Sequence, residues 1–198
     1  MAGYQALASV GRGVVALLNE RFAQEIPAGG PRPQAVLAGP ADFDRVGTPG
    51  SLITFPAVSV HCYRLSVDRE TRPAWAAVSA QDGVPKIPLR MHLLISAWDQ
   101  FVEAELEWLG LTVKILETEA TLAYPRLQEN EGWLPGDSVQ IVPDDLAMDS
   151  MSEAFQAMTT DYRLCLPYLA RVVRIDGRGS SGADEVATVA TGLSGTGR

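Results

Sequence analysis

The sequence contains few residues of the kinds that define several large classes of protein. It has two cysteines and two histidines in 198 residues. No apolar run approaches the roughly 18 residues that a membrane-spanning helix needs. Lysine and arginine number 16 against 24 aspartate and glutamate residues, which gives a formal net charge of -8. Because this charge repels nucleic-acid phosphates and anionic membrane surfaces, we expect a soluble protein that binds neither.

The N-terminal segment also lacks the features of a secretory signal. Residues 1–22 have no basic region at the start, carry Arg12 in the middle and end without a small-residue cleavage site. We therefore expect a cytoplasmic protein that leaves the cell only on lysis. Cys62 and Cys165 both lie in apolar, strand-like runs, where a thiol behaves as a small apolar group, so we expect no disulfide.

Composition predicts one folded domain followed by a tail. Hydrophobic residues make up 46% of the chain and charged residues 20%, which is typical of a globular protein. Beyond Asp176 the sequence is rich in glycine, serine, threonine and alanine and has few large apolar residues to bury. We predict a domain over residues 1–176 and a flexible tail over residues 177–198.

Apolar spacing of three and four residues predicts two main helices, Tyr4–Phe22 and Phe101–Tyr124, and a short helix that begins at Ser150 or Ser152. Runs rich in β-branched and aromatic residues predict strands. These are residues 35–37, 58–67, 87–98, 138–142 and 162–176. The sequence thus predicts an α/β fold of the α+β kind, with a mostly antiparallel sheet whose long hairpin packs against two main helices.

Two features of the predicted sheet concern contacts with other chains. The connection Asp68–Lys86 is long for a hairpin and is predicted to be a loop carrying Trp75, which either anchors a contact or folds back on the core. Pro167 cannot donate to a strand ladder, so the last strand is predicted to be an edge strand or to contain a bulge. In the long second strand we expect one face in the core and the other, with Arg90, His92 and Ser96, partly hydrated.

The sequence offers no combination of residues that an enzyme needs. His61 and Cys62 are adjacent on a predicted strand, so they point to opposite faces and cannot act together as base and nucleophile. A zinc site would have to recruit His92 and Cys165 as well, without a recognisable ligand spacing. We predict no catalytic residue, no cofactor and no metal, but two core cysteines and a hydrogen-bonded histidine.

Two short patterns fall short of known binding motifs. Gly11-Arg12-Gly13 lacks a third glycine and lies inside a predicted helix, so it is no dinucleotide fingerprint. Asp144, Asp145 and Asp149 form an acidic loop without the regular alternation and glycine of a calcium loop. We interpret it as a solvated loop that caps the next helix.

The order and spacing of three stretches carry a family resemblance. They are the opening helix Tyr4–Phe22, the strand Ile87–Trp98 after Asp82-Gly83, and the helix and strand of Met151–Ile175, which Pro167 interrupts. Over residues 4–176 the chain resembles the N-terminal domain family of cap proteins from extracellular contractile injection systems, relatives of phage tail terminators.

The resemblance implies a structural cap that terminates and stabilises the distal end of the sheath and inner tube. Its partners would be sheath subunits, inner-tube subunits and further copies of the chain in a hexameric ring. We predict that Trp75, Arg163, Arg171 and Arg174 contribute to the assembly interface. Two alternatives stay open: an adaptor or baseplate-type subunit of the same particle, and a small-molecule enzyme.

Overall fold

The computed structural model describes residues 3–127, 133–157 and 161–177. The helices are α1 (Ala6–Glu25), α2 (Pro40–Phe43), α3 (Arg72–Asp82), α4 (Val102–Thr118) and α5 (Met148–Ala157). The strands are β1 (Gln34–Leu37), β2 (Ala57–Val67), β3 (Lys86–Trp98), β4 (Thr121–Leu122), β5 (Val139–Pro143) and β6 (Cys165–Asp176).

The strands form one sheet in the order β1-β2-β3-β6-β5-β4. Only β1 and β2 pair in parallel; the other neighbours are antiparallel. The long hairpin β2–β3 runs in register from Ala57 opposite Trp98 to Val67 opposite Leu89, with Tyr63 as an extra residue on β2. The predicted fold class is thereby confirmed.

The main core lies between one face of this sheet and helices α1 and α4. Every fourth residue of α1 is buried, from Ala6 through Val10, Val14 and Leu18 to Phe22. Met91, Leu93 and Ile95 of β3 belong to the same buried cluster, because alternate residues of a strand share one face. Burying an apolar side chain of this size contributes roughly 1.5–3 kcal/mol, so this layer supplies most of the driving force for folding.

The opposite face is buried at one end, contrary to the expectation that it would be partly hydrated. Leu94 and Cys165 pack with Met151 and Phe155 of α5. Ser96 is also buried. At the other end of this face Arg90 and His92 retain partial exposure, as expected. The difference arises because α2 and α5 reach only the end of the sheet that carries Trp98.

The connection Asp68–Lys86 is not a loop as predicted but carries helix α3. The helix begins beside Pro73, which is tolerated in a first turn because its missing N–H has no helical partner there. It ends at Gly83, whose φ of 68° is the left-handed conformation that glycine adopts at little cost. None of its residues is buried, so α3 lies on the surface.

Other boundaries also differ from the prediction. The short helix α5 begins at Met148, so neither Ser150 nor Ser152 is its cap. The main helix ends at Thr118 rather than Tyr124, and Thr121–Leu122 pairs with β5 instead. The final strand starts at Cys165 rather than Tyr162. The part of the predicted tail after Gly177 lies outside the described residues.

The last strand is an interior strand, between β3 and β5, and the prediction of an edge strand is wrong. Pro167 fits into an interior strand because its nitrogen, which has no hydrogen to donate, does not face β3. Its carbonyl accepts the N–H of Asp144, just beyond the end of β5. Since the nitrogen and oxygen of a strand residue point to the same side, the proline nitrogen faces that loop and β3 loses no hydrogen bond. The expected bulge is present, where Arg171 and Val172 together oppose Arg90.

Within the described ranges, no helix is both long and apolar enough to cross a membrane.

Candidate assembly interface

Three of the four predicted interface residues lie together beside α3. The guanidinium carbon of Arg174 lies 5.0 Å from the ring centroid of Trp75. Trp75, Arg171 and Arg174 line one cavity of about 250 Å³, together with the buried Trp133. Trp75 is thus half-buried against an arginine of β6 and is not a free anchor on a mobile loop. Cation–π contacts of this kind contribute about 0.5–2 kcal/mol, which helps to hold α3 on the sheet.

A charged network fixes the base of α3. The carboxylate of Asp68 is fully buried and accepts hydrogen bonds from Arg90 at 3.0 and 3.3 Å. It also accepts the backbone N–H groups of Glu70 and Thr71. Burial alone would raise the pKa of Asp68, but these hydrogen bonds outweigh it and lower the pKa below its ordinary value. Asp68 is therefore ionised at neutral pH and holds the turn that starts α3.

Arg171 belongs to the outer part of this network. Its guanidinium lies 3.9 Å from the carboxylate of Glu70, which also pairs with Arg90 at 3.1 Å. Glu70 is mostly exposed, so these outer pairs contribute little to stability. Arg171 is therefore only weakly held by its partner Glu70.

The fourth predicted residue, Arg163, lies elsewhere. Its guanidinium carbon is 4.1 Å from the ring centroid of Trp98, and its N–H groups donate to Glu105 at the start of α4. This position is at the opposite end of β3 from Arg90. The structure therefore separates Arg163 from the Trp75 cluster by the length of the sheet.

The strand edges differ in how far they are open to another chain. β1 pairs with β2 only as far as Val60, so among the described residues no strand pairs with residues 61–67 on that side. β1 itself is blocked at Ala35, whose N–H donates to the side-chain oxygen of Asn19 at 2.8 Å and whose carbonyl accepts the Asn19 amide at 2.9 Å. The open edge on this side of the sheet thus belongs to β2.

Positive charge gathers beside this open edge although the chain is acidic. Arg64, Arg69 and Arg90 line a broad groove with Ser66 and His92. Glu70 is the only acidic residue among the groove residues that the structure describes. Arginine side chains along a strand edge attract a carboxylate-bearing segment, because charge complementarity steers association. No local pattern in the sequence predicts this groove, since its arginines come from two strands and a turn.

A hydrogen-bonded Ser–His–Asp relay crosses the same face, and sequence reasoning missed it. Nε2 of His92 lies 2.8 Å from Oγ of Ser66, and Nδ1 lies 3.2 Å from a carboxylate oxygen of Asp144. A hydrolase also needs oxyanion donors beside the hydroxyl. Ser66 lies within a paired strand, and Arg90 opposite it is already held by Asp68 and Glu70. The relay connects strands β2 and β3 with the loop after β5.

The residues considered for a metal site do not converge. Within the described residues, no three histidine, cysteine, aspartate or glutamate side chains lie close enough to hold an ion. His61 binds the carbonyl of Ala38 on one face of β2, whereas Cys62 packs against the main core on the other. Cys62 and Cys165 are free, and burial raises the pKa of the Cys165 thiol to about 11.

The fold is similar to that of a solved terminator subunit from an extracellular contractile injection system. The sheath/tube terminator of PVC, an extracellular contractile injection system, in its extended state matches with a TM-score of 0.56 and 19% sequence identity. The match covers 96% of this chain and 64% of that chain. The tube-terminating cap of the anti-feeding prophage matches with a TM-score of 0.49 and 18% identity, over 96% of this chain and 59% of that one.

At 19% identity, the match to the sheath/tube terminator shows a shared fold and nothing further. This chain spans less than two thirds of the length of either structure. No curated protein gives a significant match. A family model provides the decisive comparison, because it matches residues 9–188 and so includes every helix and strand but the first residues of α1. The chain belongs to the Pvc16 N-terminal domain family, which confirms the resemblance found in the sequence.

Proposed function

We propose that the chain is a structural cap that terminates and stabilises the distal end of the sheath and inner tube of a contractile injection system. The observation that carries this proposal is the family match over residues 9–188. The fold shared with a sheath/tube terminator supports it. In this role the chain acts by occupying an open end and needs no catalytic residue or cofactor.

The open edge of β2 is the proposed docking site for the polymer that is capped. An extended arm of a sheath subunit would add to residues 61–67 as a further strand, since an unpaired edge offers backbone donors and acceptors to another chain. Arg64 and Arg69 would then meet carboxylates on the arm. This assignment replaces the final strand, which the structure places in the interior of the sheet.

The ring implied by the family resemblance completes the mechanism. Six copies seated on the last layer of sheath and tube would close the growing end and hold both polymers in register. Assembly would take place in the cytoplasm, with release on lysis. The cluster of Trp75, Arg171 and Arg174 and the separate Arg163 are proposed contacts between subunits.

The decisive experiment is electron microscopy of particles from cells that lack only this chain. We expect sheaths of irregular length, or sheaths separated from their tubes, and restoration by the wild-type chain. Particles of uniform length with a normal closed end would refute the cap function. An adaptor or baseplate-type role at another end of the particle would then take its place.

Charge reversal tests the docking edge. In complemented cells, Arg64→Glu together with Arg69→Glu should reproduce the defect, because the arm would meet like charges. Arg45→Glu is the matched control, since Arg45 is an exposed arginine between α2 and the start of β2. Normal ends with the double variant, folded and expressed at the wild-type level, would exclude β2 as the docking edge.

A further inference from the structure

A second cavity, of about 320 Å³, lies on the sheet face that carries α2 and α5. Aromatic rings from four elements or connections line it: Phe43, Trp98, Phe155 and Tyr162. His61 of β2 and Ser96 of β3 form its floor. The volume is near the lower end of the roughly 300–1,000 Å³ that ligand sites occupy, so it suits a single ring with a short stem.

The wall of this cavity is rigid before anything binds. The Trp98 ring stacks with Phe43, with 5.6 Å between the ring centroids, and the guanidinium carbon of Arg163 lies 4.1 Å from its centroid. Its indole N–H donates to Oγ of Ser59 at 2.8 Å. Glu105 neutralises the charge of Arg163. An occupant therefore meets a preformed aromatic surface and pays little for ordering side chains.

Two side chains of the floor that are mostly buried present polar atoms to the cavity. Nδ1 of His61 lies 2.9 Å from the carbonyl of Ala38, so it carries the proton, and Nε2 of the neutral ring is left as an acceptor. The Ser96 hydroxyl makes no hydrogen bond to any described residue. His61 is 7% exposed and Ser96 6% exposed, so both are more than nine-tenths buried. The floor of an otherwise aromatic cavity therefore offers one acceptor, Nε2, and one hydroxyl to an occupant.

We propose that this cavity binds the side chain of a tyrosine presented by a partner subunit. A phenol hydroxyl donates to Nε2 of His61 and at the same time accepts the Ser96 hydroxyl, which satisfies both groups. His61 and Ser96 are diagonal neighbours on one sheet face, since Ser59 pairs with Ser96 and His61 with Leu94, so one hydroxyl can reach both. An indole N–H satisfies only one of them, and an aliphatic side chain neither.

The phenol ring completes the site on its apolar side. Aromatic pairs gain about 0.5–1.5 kcal/mol beyond the area that they bury, and rings at an interface are frequent hot spots. That the tyrosine belongs to another subunit of the particle rests on the proposed cap function. The preference of the cavity for a phenol does not depend on that function.

The test uses p-cresol, toluene and N-acetyl-tyrosinamide as probes of the ¹⁵N-labelled chain, with the Trp98 indole N–H as reporter in NMR titrations. We expect p-cresol to bind with a dissociation constant on the order of 1 mM, as its eight heavy atoms allow. Toluene, which lacks only the hydroxyl, should bind about five-fold more weakly. N-acetyl-tyrosinamide should bind at least as well as p-cresol, because a presented tyrosine carries its backbone outside the cavity.

Three variants separate recognition of the hydroxyl from general loss of fold. His61→Asn keeps an N–H for Ala38 but removes Nε2, and Ser96→Ala removes the hydroxyl; each should abolish the preference for p-cresol over toluene. Ser138→Ala, in the cavity beside Trp75, should leave it unchanged. If His61→Asn does not fold, Ser96→Ala carries the test.

Equal binding of toluene and p-cresol, or no binding of either, would overturn the proposal. Binding of p-cresol without N-acetyl-tyrosinamide would also overturn it, in favour of a free phenolic molecule. None of these outcomes bears on particle ends, so failure here leaves the cap function standing. Particles with normal ends from cells that lack the chain would refute the cap function and leave the preference of the cavity for a phenol intact.

Discussion

Replacement of Asp68 tests whether a single buried carboxylate holds α3 in place. The helix buries none of its own residues, so its position depends on a few specific contacts. These are the turn before it, the contact between Trp75 and Arg174, and the Ser79 hydroxyl, which accepts the Lys86 N–H. The Asp68 carboxylate accepts four N–H groups, two from Arg90 and one each from Glu70 and Thr71. Asp68→Ala removes all of these acceptors at once.

The expected cost follows from these contacts. Breaking a buried charge pair by removing one partner typically costs 3–5 kcal/mol. Since Arg90 keeps Glu70 as a partner, we expect the lower end, about 3 kcal/mol, or a fall in Tm of roughly 6–12 °C. Asp68→Asn retains a carbonyl for the backbone N–H groups of Glu70 and Thr71. It should cost about 1.5 kcal/mol, the contribution of one charge-assisted hydrogen bond.

Urea unfolding followed by circular dichroism measures both values, and hydrogen exchange reports on α3 directly. Amide protons of α3 should exchange faster in Asp68→Ala than in Asp68→Asn. Equal stability of the two variants, or a loss below about 1 kcal/mol in the alanine variant, would show that the carboxylate does not hold the helix.

The pH dependence gives an independent check on the same group. The folded-state pKa of Asp68 is lowered, so its contribution is present above the ordinary aspartate pKa of about 4 and is lost as the pH falls through the folded value. The wild-type chain should therefore lose stability between about pH 5 and pH 2 more steeply than Asp68→Asn. Parallel pH profiles would contradict the lowered pKa.

Three further predictions concern the core, the relay and Arg163. Leu116→Ala should lower the free energy of unfolding by about 2–5 kcal/mol in urea titrations, since Leu116 is fully buried in the main core; a loss under 1 kcal/mol would be inconsistent with that packing. Ser66→Ala should leave the hydrolysis rate of p-nitrophenyl acetate unchanged, and a clear drop would identify the relay as catalytic. Arg163→Ala should cost about 1 kcal/mol and shift the Trp98 fluorescence, because it removes the cation over the indole; an unchanged spectrum would speak against that contact.

The hairpin and the main helices could be predicted because their signals are local. Period-two alternation in β3 and three-to-four spacing in α1 each follow from one buried face. Helix α3 gave no such signal, since none of its residues is buried and no apolar stripe is needed. The interior position of β6 was also beyond prediction. Strand order depends on long-range pairing. Pro167 indicated an edge strand, but its nitrogen faces the loop after β5, so an interior strand can contain the proline.

The candidate sites were only partly accessible from the sequence for the same reason. Trp75, Arg171 and Arg174 were predicted as interface residues, and the structure brings them together; their role in assembly stays a prediction. Ser66 and His92 are 26 residues apart, and Asp144 lies 52 residues further on. Their meeting depends on strand register and on the loop after β5. One signal was available, since His92 falls on the polar face of a strand otherwise rich in apolar residues.

The amide of Asn19 sets a limit on what can be added to the sheet. A strand that docks on β2 has residues 61–67 available, about 23 Å at the usual rise per residue, and then meets the end of β1. It cannot continue along β1, because Asn19 already makes the outward hydrogen bonds of Ala35. The edge therefore works as a slot of fixed length with a closed end. An arm longer than the slot gains no further backbone hydrogen bonds. The contact of its tip with β1 would therefore fix the register of the arm, and with it the position of the subunit that carries the arm.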